Sequence, residues 1–184
     1  MNTIAKTKQR LSVKAQILAG LSAVVAAIAL PQILHILGAS TGLGSSLGEI
    51  FLPMHLPIML VGLMAGPFAG AAAGLAAPLL SSLLTTMPAA GILPFMMIEL
   101  CVYGLAAGAL RSVNIPTVLK VLITQVAGRA VRAGAICLAV CAFDYDKIGV
   151  AVIWTSITAG LIGIALQLVL IPLIMYRFDG IKSK

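Results

Sequence analysis

Charge is scarce in this chain. Of its 184 residues only 9% are Asp, Glu, Lys or Arg, against roughly a quarter in ordinary soluble domains, so an independent water-soluble fold is excluded. Aromatic residues make up 5%, with a single tryptophan, which disfavours a site built by stacking protein rings on a large flat ligand. The three cysteines, Cys101, Cys137 and Cys141, all fall in apolar runs and read as small buried apolar residues. Cys137 and Cys141 share a helix face, but without a nearby His or Asp they make no metal site, and no metal or cofactor is expected. There is no G-x-x-x-x-G-K-[ST] and no Gly-Lys dipeptide, so the chain is not expected to hydrolyse ATP. Alternating segments of about ten residues are also missing, which excludes a transmembrane β-barrel.

What is abundant is apolar sequence: 61% of residues are hydrophobic and the mean hydropathy is +1.14. These values describe an all-α integral membrane protein, a single domain embedded almost entirely in the bilayer. At about 22 residues per span, six helices use roughly 132 residues and leave room for short connections. A net charge of +7 on a soluble protein would suggest nucleic acid, but no basic run here is interleaved with aromatics, and no nucleic-acid partner is expected. Position matters more than the sum. Lys6, Lys8, Arg10 and Lys14 precede the first apolar run, Arg111 and Lys120 flank a mid-chain break, and Arg177, Lys182 and Lys184 close the sequence. With six spans these lie on one side and Lys147 on the other, so the positive-inside rule places both termini in the cytoplasm. The first run stays apolar from Ala15 to about Leu34, longer than the apolar stretch of a signal peptide, and is expected to be a retained helix.

The expected spans are 15–37, 54–76, 78–88, 93–112, 117–142 and 148–176, with residues 1–14 and 177–184 as cytoplasmic tails. Residues 38–53 form a long outer loop. Pro78 and Pro88 bound the third span, which is too short to cross a core of about 30 Å unaided. Two stripes of small residues recur every four positions: Ala15, Ala19, Ala23 and Ala27, then Gly62, Gly66, Gly70 and Gly74. Faces without bulk let another helix approach closely. Ordinary bundle packing is the favoured reading for the glycines; for the alanines, a bundle neighbour and a separate membrane protein are both open.

Two features invite chemistry. Gly44-Ser45-Ser46-Leu47-Gly48 matches G-x-S-x-G with Ser46 as nucleophile, but the motif needs a strand, a strained turn and a helix, followed by Asp and His. Here it sits in a Gly/Ser loop, with His55 the one later histidine. Ionisable residues inside spans carry more information, because a charge there costs about 3 kcal/mol even on lenient scales. Glu99 lies in the outer half of the fourth span, and Arg129 and Arg132 lie near the middle of the fifth. One arginine can neutralise Glu99, which leaves the other to attract an anionic ligand. His55 either faces the same outer pocket or caps its helix at the interface. Gln125, Gln167 and Tyr103 can add hydrogen bonds, and Trp154 is either a ligand contact or an interfacial anchor.

The segments FLPMHLPIMLVGLMAGP (51–67), APLLSSLLTTMP (77–88), MIELCVYGLAAG (97–108) and VAGRA (126–130) are similar to bacterial substrate-binding (S) components of energy-coupling factor (ECF) vitamin transporters. The resemblance covers about residues 15–176. It implies a six-helix subunit that binds a vitamin or precursor near the outer surface, beneath the loop joining its first two helices. It also implies docking onto a transmembrane coupling subunit that carries two ATPases, with Ala19, Ala23 and Ala27 as the docking stripe and residues 38–53 as the lid. On that basis Ala23→Trp is expected to block transport and spare binding. Glu99, Arg129, Arg132, His55 and Trp154 are the expected substrate-binding residues. The arginines favour an anionic, pantothenate-like or nicotinate-like ligand. Two competing readings are a gradient-driven carrier acting as a homodimer and a membrane hydrolase using Ser46 and His55.

Overall fold

The computed structural model describes residues 11–181 apart from Leu43 and Ser45; the basic residues Lys6, Lys8, Arg10, Lys182 and Lys184 lie outside the described residues. The described residues form eight α-helices, α1 (Val13–Thr41), α2 (Ser46–Phe51), α3 (His55–Ala65), α4 (Pro67–Thr85), α5 (Leu93–Ala109), α6 (Thr117–Phe143), α7 (Ala151–Ala159) and α8 (Leu161–Ile181), with a 3₁₀ turn at Leu110–Ser112 and no strand. Five are long and apolar enough to cross a membrane: α1, α4, α5 with its 3₁₀ extension, α6 and α8. α3 is apolar but has 11 residues, about 16 Å of helix, half of a hydrocarbon core.

Eight helices therefore stand where six were expected, and three boundaries move for physical reasons. The break after the second apolar run falls at Gly66, whose φ of 111° and ψ of 177° suit glycine alone, and Pro67 then opens α4 at a position where its missing N–H costs nothing. Pro78, expected to end a span, lies buried inside α4. Continuing the helix leaves fewer unpaired backbone groups in lipid than stopping there would. The last run, expected as one helix over 148–176, divides at Gly160 into α7 and α8. Residues 38–53 are not an open loop, since α1 continues to Thr41 and α2 begins at Ser46. That places Ser46 at the start of a helix with no strand before it, so the strand-turn-helix context of a hydrolase nucleophile is absent among the described residues.

α5 packs against α3, α4 and α6, and glycine sets how close they come. A Cβ on Gly70 would lie 2.6 Å from the Gly104 carbonyl oxygen, and one on Gly62 2.7 Å from the same atom. A Cβ on Gly104, Gly108 or Gly74 would overlap the backbone of Gly70, Pro67 and Leu100 respectively. α4 thus runs 66, 70, 74 against 108, 104, 100 on α5: the helices are antiparallel and meet backbone to backbone. Gly66 interrupts the stripe, yet the glycines on either side of it face one neighbour. Close approach of this kind replaces the hydrophobic drive that lipid does not supply.

The alanine stripe on α1 also turns inward. Ala27 is fully buried and Ala23 is 7% exposed, both in the core with residues of α3, α4 and α5, while Ala19 packs partly buried against them. A Cβ on Gly20 would touch the Ala69 carbonyl of α4 at 3.9 Å. In this packing α3 and α4 cover the face that carries Ala19, Ala23 and Ala27, and what α1 leaves uncovered is the opposite side, with Leu18, Leu21 and Val25 exposed.

Candidate functional site

Glu99 and Tyr103 stand one turn apart on the same face of α5. The Tyr103 hydroxyl donates to Glu99 Oε1 at 2.9 Å, and both side chains are buried, Glu99 completely. Gly128 on α6 makes room for this pair, because a Cβ there would overlap the Tyr103 ring. One turn further along α6, Arg132 Nη1 donates to Glu99 Oε2 at 2.9 Å. The small residue thus decides the height at which Arg132 meets Glu99.

His55 opens α3 beside them. Its ring packs tilted on Tyr103 with centroids 5.3 Å apart, and Nε2 stands 3.8 Å from Glu99 Oε2, too far for a hydrogen bond. The residue is 3% exposed, and neither ring nitrogen has a hydrogen-bond partner among the described residues. A buried imidazole with both nitrogens unpaired is costly unless something else completes it.

His55 and Arg132 form part of the wall of a cavity of about 580 Å³, a volume typical of small-molecule sites. Its other walls come from Pro31, Gln32 and His35 near the end of α1, Gly48 of α2, Ser81 of α4, Met87 and Pro88 of the α4–α5 turn, Met96 of α5, and Thr155 and Ser156 of α7. α1 and α4 run parallel and α5 antiparallel to them, so these segments gather at the end of the bundle remote from the start of α1.

Two devices hold α2 over this end. A Cβ on Gly163 of α8 would come 2.7 Å from the Ile50 carbonyl, and one on Gly160 2.7 Å from a Leu52 methyl, so the α7–α8 break provides a seat for α2. Below it Gln167 Nε2 donates to the Leu52 carbonyl at 3.1 Å and Gln167 Oε1 accepts from Gln125 Nε2 at 3.0 Å. These bonds tie the link into α3 to α8 and α6. Gly48, the last glycine of the G-x-S-x-G match, lies under the His35 ring, where a Cβ would come within 3.0 Å of it; its presence is explained by packing.

The expected site residues do not all converge. Glu99, Arg132 and His55 come together, Glu99 behind the other two. Arg129 lines a separate cleft of about 10 Å³ together with Arg132, Ile153, Ser156 and Ile157, room for about one water. It makes no ion pair within 4 Å among the described residues, and its Nε is buried without a partner. Trp154 points away from the cavity, 70% exposed, as an interfacial anchor would. Gln32, His35 and the methionines were not anticipated from the sequence. Two polar residues beside Pro31 in an otherwise apolar helix were the available signal; the methionines carried none.

A family model described as ECF transporter, substrate-specific component, matches residues 10–175. The chain belongs to this family: it is a substrate-binding S subunit of an ECF transporter and a multi-pass membrane protein. No curated sequence matches the chain and no solved structure does.

Proposed function

We propose that this subunit captures a carboxylate-bearing micronutrient at the outer face of a bacterial plasma membrane and delivers it through a coupling subunit and two ATPases. The observation that carries this reading is the cavity of about 580 Å³ with the unpaired His55 and the Glu99-paired Arg132 on one side. Family membership supplies the association with the ECF module. Outer-face capture follows from the positive-inside rule, since the cavity lies at the end of the bundle away from the basic N-terminal segment.

Arg132 has donors beyond the one held by Glu99, and its Nε is buried without a partner among the described residues. A carboxylate placed there takes a charge-assisted bond and brings an acceptor within reach of His55. Glu99 offsets the charge of Arg132, and Arg129, adjoining Arg132, leaves the group with a net positive charge that attracts an anion. Glu99 acts as the orienting partner, since both its oxygens already accept bonds. α2 and the link to α3 serve as the cover over the ligand.

Mass spectrometry of small molecules retained by protein purified from rich medium tests this directly. An organic acid released on denaturation is the expected result, and Arg132→Gln should retain at least tenfold less of it while still eluting as a folded monodisperse species. Retention of only neutral or cationic molecules would overturn the assignment. Co-purification with ATPases separates the ECF reading from a gradient-driven homodimer.

A further inference from the structure

We infer that the ligand's body, beyond its anionic head, is mainly apolar and carries no ring or run of hydroxyl groups. The inference rests on the carboxylate reading above and narrows it to a class: an amphipathic organic acid, not a sugar acid or a nucleotide.

Four hydroxyls line the cavity, and each already donates to a carbonyl of its own chain. Ser81 Oγ donates to the Met87 carbonyl at 2.8 Å, Thr86 Oγ1 to that of Thr85 at 2.6 Å, Ser156 Oγ to that of Ile153 at 3.1 Å, and Thr155 Oγ1 to that of Ala151 at 3.3 Å. A hydroxyl has one proton to give, so none of these can donate to a ligand without breaking a bond the fold uses. Each keeps lone pairs and can accept. A ligand hydroxyl placed against them would have its proton satisfied and its oxygen unsatisfied, after losing its water.

The side-chain donors that remain are few. Arg132 and His55 lie together and suit the head, while Gln32 and His35 on α1, each partly buried, can serve one or two further polar groups. The rest of the wall is apolar, with Met54, Met87 and Met96 presenting thioethers that adapt to shape and offer almost no hydrogen bonding. A ring bearing several hydroxyls would find side-chain donors for one or two of them at most.

Three probes of one carbon skeleton test this with the unmodified protein in lipid nanodiscs, titrated by saturation-transfer NMR. Cyclohexanecarboxylate carries the head and an apolar body, quinate adds hydroxyls to the same ring acid, and cyclohexanecarboxamide removes the charge. Cyclohexanecarboxylate is expected to bind, with quinate and the carboxamide each at least fivefold weaker. Quinate within fivefold of the parent acid, with the carboxamide weak, overturns the inference and leaves the carboxylate reading standing. A carboxamide as tight as the acid overturns the carboxylate reading and the inference with it. Absence of binding by all three rejects an apolar body, while the retained-ligand experiment still judges the head.

Discussion

The Glu99–Arg132 pair makes the most quantitative prediction. At 2.9 Å and an effective dielectric near 20, the two charges attract by about 6 kcal/mol. Burial opposes this, because Glu99 has no exposed surface and the Arg132 side chain is 13% exposed, and taking both ions out of water costs several kcal/mol per ion. The net worth of the pair is therefore small, and the large effect comes from removing one partner. Arg132→Met leaves a fully buried carboxylate with the Tyr103 hydroxyl as its remaining hydrogen-bond donor, and should destabilise the bundle by about 3–5 kcal/mol. Glu99→Gln strands Arg132 but keeps an amide in its place, and Arg132 can swing toward the cavity, so its cost should fall nearer 2–3 kcal/mol, as for a charged hydrogen bond. The double variant should recover at least 2 kcal/mol of the summed loss, within the range of coupling between contacting residues. Reversible unfolding in mixed dodecyl maltoside and SDS micelles, followed by near-UV circular dichroism, supplies the cycle. Additivity of the two single losses to within about 0.5 kcal/mol would refute the reasoning, since that is the behaviour of residues that do not interact.

Other outcomes follow from the packing. Gly104→Ala should cost about 1–3 kcal/mol by overpacking, with Gly104→Val worse, because a Cβ there meets the Gly70 backbone; a Gly104→Val protein with an unshifted melting temperature would contradict the α4–α5 contact. Ala23→Trp should lose ligand binding together with transport, since Ala23 belongs to the core; a variant that binds normally but does not transport would support the docking role instead. Gln167→Leu removes the bond to the Leu52 carbonyl and one to Gln125, about 1 kcal/mol each, and should speed ligand release severalfold in a stopped-flow chase without changing the bundle's helix content. Ser46→Ala should leave binding and transport unchanged in uptake assays.

Composition by itself determined the solvent this chain folds in. With 9% charged residues and 61% hydrophobic ones, a helical membrane bundle was legible because lipid forces every backbone group into helix or closed barrel. The pairing of Glu99 with an arginine was legible too, because so few ionisable residues lie in apolar runs that the choice of partners was short. Tertiary structure decided which arginine, through Gly128 and the room it leaves for Tyr103, a contact between residues 25 positions apart that no local pattern encodes. It also decided where the spans end. In sequence Pro78 looks like a span boundary and Gly66 like one member of a packing stripe; in the fold Gly66 is the break and Pro78 lies inside α4. The alanine stripe shows the same limit: periodicity placed Ala19, Ala23 and Ala27 on one face of α1, but whether that face meets a neighbour or a partner depends on how α3 and α4 lie. The cavity was the least legible feature. Its walls come from separate segments, and what they share is one end of the bundle, a property of helix direction and not of any residue.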